Sequence, residues 1–132
     1  MHCLRKICHK CNYLVMKIKS FPECLFCKIV INELPSELLY EDDEIIAFKD
    51  INPQAPFHAL LIPKTHISTL NDLELENMSM AGKLFLAAKY LAESHNLEGY
   101  RVVVNTNEEG GQVVYHLHMH MLAGRQMRPS LG

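Results

Sequence analysis

From Cys24 onward the hydrophobic pattern switches between two periods. In "CLFCKIVINELP" the apolar residues Leu25, Phe26, Ile29, Val30 and Leu34 recur at offsets of three and four, which predicts a short helix stopped by Pro35. "SELLYEDDEIIAFKDI" reads as two strands, Leu38–Glu41 and Ile45–Lys49, joined by the acidic turn Asp42-Asp43. Pro53 and Pro56 make "NPQAP" a loop, and "FHALLIP" is a short apolar strand ending at Pro63. A helical period then returns, with Met80, Leu84, Leu86, Ala87, Leu91 and Ala92 on one face. Asn71 or Asp72 is suited to cap this long helix, and Gly99 follows its end. "YRVVVNT" reads as a strand, "NEEGG" as a turn and "QVVYHLHMHMLA", residues 112–123, as the last strand. An antiparallel sheet of about five strands, one long helix and one short N-terminal helix make an α+β domain.

A chain of 132 residues is expected to form one domain with a real core. The net charge of −2 gives no reason to expect nucleic acid or a membrane as partner. That charge is uneven. Residues 1–20 carry Arg5, Lys6, Lys10, Lys17 and Lys19 and no acid, a net of +5, which leaves −7 for the remainder. Residues 1–21 therefore read as a basic extension outside the core, and residues 22–132 as the domain. The extension lacks the apolar stretch and cleavage site of a secretory signal. It has the acid-poor character of a transit peptide but a single serine, Ser20, and Met16 offers an alternative start. A cytoplasmic protein is the expectation. Five cysteines, an odd number, argue against a disulfide framework, and the C-x-x-C spacings of Cys8/Cys11 and Cys24/Cys27 point to metal or redox chemistry.

His116, His118 and His120 stand at every second position of "GGQVVYHLHMHMLAGRQM". In a strand they would share one face while Leu117, Met119 and Met121 faced the core. Imidazole serves as nucleophile, acid or ligand near neutral pH. The spacing therefore allows a catalytic row, an H-x-H metal site or a structural row of neutral, hydrogen-bonded histidines.

"HLHMHML" resembles the histidine triad motif, His-φ-His-φ-His-φ-φ with φ apolar. The chain resembles the Hint-like branch of the histidine triad (HIT) family over about residues 22–127, including "CLFCKIVINELPSELLYEDDEIIAFKDINPQAPFHALLIPKTHI" and "YRVVVN". The resemblance implies a HIT-like fold and a homodimer whose sheets join, with the long helix and "YRVVVN" at the interface. It implies binding of purine nucleoside monophosphates and hydrolysis of phosphoramidates through a nucleotidyl-histidine intermediate. His118 is then the nucleophile, and His116, His120 and His58 orient it, hold the phosphate and pass protons. Asp50 takes the ribose hydroxyls, where its bland reading is a turn-capping aspartate. Phe26, Ile29, Leu34, Phe48 and Ile51 line the base pocket, although ordinary core is the expectation for at least half of them. Asn105 and the Gln112–Val113 backbone lie near the phosphate. No organic cofactor is implied.

In some bacterial members the positions of Cys24, Cys27, His66 and His116 form a structural zinc site, so the resemblance implies a zinc site here. Two departures bear on substrate choice. Val113 replaces a hydroxyl residue that helps protonate the leaving group, and "RQMRPSLG" lacks the branch's Trp-Pro-Pro ending. The alternatives are a Fhit-like diadenosine polyphosphate hydrolase, a nucleotide-binding protein with weak catalysis, and a zinc hydrolase using H-x-H as ligands.

Overall fold

A computed structural model of the protein describes residues 21–132. The basic extension and the Cys8/Cys11 pair lie outside the described residues. The elements run α1 Leu25–Val30, β1 Leu38–Glu41, β2 Ile45–Lys49, β3 Phe57–Pro63, α2 Met78–Ser94, β4 Tyr100–Val103 and β5 Met119–Ala123. The five strands form one antiparallel sheet in the order β1-β2-β3-β5-β4. The hairpin turn is held by Asp42, whose Oδ1 accepts from the Glu44 and Ile45 amides at 2.8 Å each.

Strand alternation splits the core into two layers. Ile45, Ala47, Ala59, Leu61, Met119 and Met121 meet Met80, Leu84, Ala87, Ala88, Leu91 and Ala92 of α2. On the opposite face Ile46, Phe48, Leu60 and Ile62 meet Phe26 and Val30 of α1. His58 of β3 and His120 of β5 belong to that second face: Leu60 pairs with His120, two residues along β3 from His58. The short helix therefore covers part of the face that carries the histidines, and the long helix covers the other.

Three boundaries and one core position differ from the sequence reading. The helix α1 ends at Val30, five residues before Pro35, because Asn32 adopts a left-handed φ of 66° that stops the spiral. The long helix is not capped by Asn71 or Asp72. Asp72 instead forms a capping box with Thr69 on a separate 3-10 turn, Leu70–Asp72, and a second such turn, Leu75–Asn77, precedes Met78. Leu86 is exposed, and Ala88 takes its expected place in the core. The last strand begins at Met119 rather than Gln112, because the backbone before it is held by side chains and loops. The Gln112 amide nitrogen donates to the Ser68 and Val114 carbonyls at 2.8 and 3.1 Å, and the Leu117 amide donates to the Ile67 carbonyl at 2.6 Å.

Candidate functional site

The three histidines serve two different clusters. His116 is fully buried and enters a group with Cys24, Cys27 and His66, whose ligand atoms all lie within 4.8 Å of one another. Its Nε2 lies 2.8 Å from the Pro63 carbonyl oxygen, a pure acceptor, so Nε2 carries the hydrogen. That leaves the Nδ1 lone pair facing Cys24 Sγ at 3.4 Å and Cys27 Sγ at 3.6 Å. His66 turns Nδ1 toward Cys27 Sγ at 3.3 Å and Nε2 toward the Ser68 hydroxyl at 3.2 Å. Tetrahedral zinc with Zn–S and Zn–N bonds of usual length needs donors about 3.3–3.8 Å apart. Two thiols and two imidazole lone pairs at this spacing fit it. Burial pushes the Cys24 thiol above its ordinary range and His116 down to about 4. The imidazole is thus neutral, as a ligand requires, whereas the thiols must release protons on binding.

His118 faces elsewhere. Its Nδ1 lies 2.7 Å from the His116 carbonyl and must donate to it, which leaves Nε2 as a free lone pair. The ring stands edge-on to Phe26, centroid to centroid 5.2 Å at 89°. Burial lowers its pKa, against the opposing pull of the carbonyl bond, and so keeps the imidazole neutral. His116 therefore bears on His118 through its carbonyl, while its ring is committed to the thiol cluster.

His120 and His58 form the second cluster with Asp50. The Gln54 amide donates to His58 Nδ1 at 3.0 Å, which makes Nδ1 an acceptor and places the His58 hydrogen on Nε2. His58 Nε2 then donates to His120 Nδ1 at 2.9 Å and lies 3.4 Å from Asp50 Oδ2. The His120 hydrogen consequently sits on its own Nε2, available to an acceptor. Burial is the largest cause that lowers both rings, His120 to about 4, with Asp50 opposing. Asp50, His58 and His120 also have ligand atoms within 4.8 Å of one another. A metal on His58 Nε2 would force its hydrogen onto Nδ1, against the Gln54 N–H. The tautomers thus separate a hydrogen-bond relay here from a ligand set at Cys24, Cys27, His66 and His116.

The remaining expected residues are dispersed. Asp50 Oδ1 accepts from the Asn52 amide at 2.8 Å, so it caps its turn while Oδ2 faces His58. Phe26 and Phe48 are core, their rings 5.5 Å apart, and Ile29 packs against them. Leu34 is half-buried, Ile51 is 98% exposed and Val113 is 85% exposed. Asn105 is half-buried. The Gln112 side chain is fully used, since its oxygen also accepts from the Asn107 amide at 2.8 Å. Sequence reasoning missed the Pro63 carbonyl, the Gln54 amide and Arg125, because backbone groups and distant loops have no side-chain signature. A cleft of about 590 Å³ opens at the sheet end between residues 96–101 and 124–127, and no histidine lines it.

An imidazole with a free Nε2 lone pair, an adjacent donor imidazole and a nearby carboxylate suit the chemistry of a hydrolase or transferase. The HIT domain model matches residues 32–127, and the chain belongs to the histidine triad family. It is 46% identical over 111 residues to the purine nucleoside phosphoramidase of Escherichia coli (strain K12), covering 83% of this chain and 93% of that protein. A HIT family hydrolase from Legionella pneumophila Philadelphia 1 superposes with a TM-score of 0.81 at 48% identity, covering 83% of this chain and all (100%) of that one. A HIT family hydrolase from Clostridium thermocellum superposes with a TM-score of 0.83 at 42% identity, covering 85% and 99%.

Proposed function

We propose that this protein hydrolyses purine nucleoside 5′-phosphoramidates, with His118 as nucleophile. The observation that carries this reading is the 2.7 Å contact of His118 Nδ1 with the His116 carbonyl, which leaves Nε2 free to attack. Kinship to a named phosphoramidase supports the substrate class. In the first step His118 Nε2 bonds to the α-phosphorus and the P–N bond breaks. The amine leaves with its bonding pair and takes a proton. In the second step water attacks phosphorus, the P–His118 bond breaks, and nucleoside monophosphate is released. Two displacements replace one difficult step.

His120 Nε2–H donates to a nonbridging phosphate oxygen, where charge builds in the transition state. Asn105 and the Gln112–Val113 backbone border the phosphate. Asp50 accepts from the ribose hydroxyls with lone pairs not used by Asn52. Ile51 and Leu34 offer apolar surface to the base beside Phe26, Phe48 and Ile29. Val113 supplies no hydroxyl to the leaving amine, so in this reading its proton is passed by the His58–His120 pair, which the attacking water then reprotonates.

Cys24, Cys27, His66 and His116 would hold zinc, which would supply a structural link between α1 and the segments after β3 and before β5. The protein is read as a cytoplasmic homodimer, joined through the outer edge of β4 and the exposed Leu86 and Tyr90 of α2. No helix among the described residues is long and apolar enough to cross a membrane.

The test is turnover of an adenosine 5′-phosphoramidate with a fluorescent amine, for wild type and His118→Ala, with and without chelator. Turnover that vanishes only in the variant supports the assignment. Chelator-sensitive turnover would favour catalytic zinc, and nucleotide binding without turnover would favour a binding protein.

A further inference from the structure

The tautomer that makes His120 a donor is set from outside the histidine row. The chain of bonds begins at Arg125, on the exposed segment after β5. Its Nη2 donates to the Gln54 carbonyl at 3.1 Å, while Nη1 rests on the Gln126 carbonyl at 3.1 Å and Met127 Sδ at 3.8 Å. The Gln54 amide of the same residue donates to His58 Nδ1, and His58 Nε2 donates to His120 Nδ1. The bonds run in one direction because a guanidinium and an amide N–H only donate. The loop that carries Gln54 is seated closely on this segment. A Cβ built on Gly124 would lie 2.8 Å from Pro56 Cβ and 3.3 Å from the Phe57 nitrogen. Two neighbouring residues, Gly124 by shape and Arg125 by hydrogen bond, thus hold the 50–56 loop against the end of β5.

We propose that Arg125 is a positioning residue: by anchoring the Gln54 carbonyl it keeps the Gln54 amide on His58 and so fixes His120 as a donor toward the phosphate. The inference rests on the phosphate role given to His120 above. Without Arg125 the loop can lift the Gln54 amide from His58 Nδ1. His58 is then free to carry its hydrogen on either nitrogen, and His120 follows. A donor facing the phosphate would become, for part of the time, a lone pair facing an anion.

The experiment reads tautomers and rates separately. Nitrogen-15 NMR of the histidine side chains in the free protein assigns the hydrogen-bearing nitrogen of His58 and His120 without substrate. Wild type is expected to show Nε2–H at both. Arg125→Ala is expected to shift both resonances toward the average of two exchanging tautomers. It should lower kcat about ten- to a hundredfold, with KM changed less than about threefold. Arg125→Lys, which keeps a donor, should recover part of each. The exposed position of Arg125 leaves the fold intact, which a thermal melt checks. Unchanged tautomers in Arg125→Ala would overturn the proposal, whatever the rate does. Altered tautomers with wild-type kcat would overturn it as well. If wild type turns over no phosphoramidate, the proposed function fails while the tautomer comparison still decides the relay.

Discussion

In the proposed function, the imidazole at position 118 owes its reactivity to one backbone oxygen. With Nδ1 donated to the His116 carbonyl, Nε2 has no hydrogen to lose before it attacks. His118→Ala is expected to cut turnover by about a thousandfold or more while AMP still binds, measured by calorimetry beside the kinetics. Asp50 serves both its turn and, in the proposed function, the ribose. Asp50→Asn keeps the Asn52 contact but weakens acceptance from hydroxyls, at a cost of about 1.5–3 kcal/mol. KM should rise about ten- to a hundredfold with kcat changed far less, and an equal fall in both kcat and kcat/KM would contradict the ribose role. Val113→Ser returns a hydroxyl beside the proposed phosphate site. It should speed cleavage of amines that leave poorly and do little for those that leave well.

At the scale of elements, the Cys24–Cys27 turn of α1 and the segments after β3 and before β5 meet at one point. A bound ion would tie them more tightly than the ring contacts of Phe26 with His116 and of Phe21 with His66, since α1 is only six residues long. We expect about one zinc per chain by elemental analysis. Chelation or Cys27→Ser should lower Tm, by about 4 °C for each kcal/mol lost. Full retention of Tm after complete metal removal would argue against a structural role. The histidine relay gives the fold a pH dependence of definite sign. His58 and His120 are held below the ordinary value of 6.5, His120 at about 4. Below pH 6.5 the unfolded chain binds protons that the folded chain refuses, so stability falls as pH drops from 6.5 toward 4 and is full above that window. Melting curves across pH 4–7 check it, and His120→Asn should flatten the slope. The glycine at 124, with φ +99° and Pro56 at 2.8 Å from an added Cβ, allows the loop to dock. Gly124→Ala should cost about 1–3 kcal/mol in denaturant unfolding.

In the whole molecule, β4 is an edge strand of the sheet and α2 shows Leu86 and Tyr90, 64% and 52% exposed, one turn apart. An open strand edge suits a two-fold contact that extends the sheet, and exposed apolar residues of α2 can add to it. Sedimentation at micromolar concentration is expected to show a dimer, and Leu86→Glu to shift it toward monomer. A monomeric wild type would remove the dimer from the proposed function. The same view places α1 and the histidine row on the face opposite α2, so association through α2 leaves the proposed site open to substrate.

Local order along the chain settled much of this protein. Short apolar runs bounded by turn residues determine β1, β2 and β3 at their observed bounds, and β2 and β3 are buried along most of their length. Alternation at 116–121 places Leu117, Met119 and Met121 in the core even where the backbone is not yet a strand. The pairing of Cys24 and Cys27 with His66 and His116 was legible through kinship, and the fold brings those four together. Only the tertiary structure decided how the three histidines divide their work. A row on one strand face says nothing about ring tautomers, because each is set by a single acceptor or donor from another segment. Pro63 lends a carbonyl to His116, His116 lends one to His118, and the Gln54 amide reaches His120 through His58. Those partners are backbone groups that every residue possesses, so residue identity cannot mark them. Their placement comes from the packing of loops on the finished sheet, and in the proposed function that packing separates a lone pair for a metal, a lone pair for phosphorus and a hydrogen for phosphate.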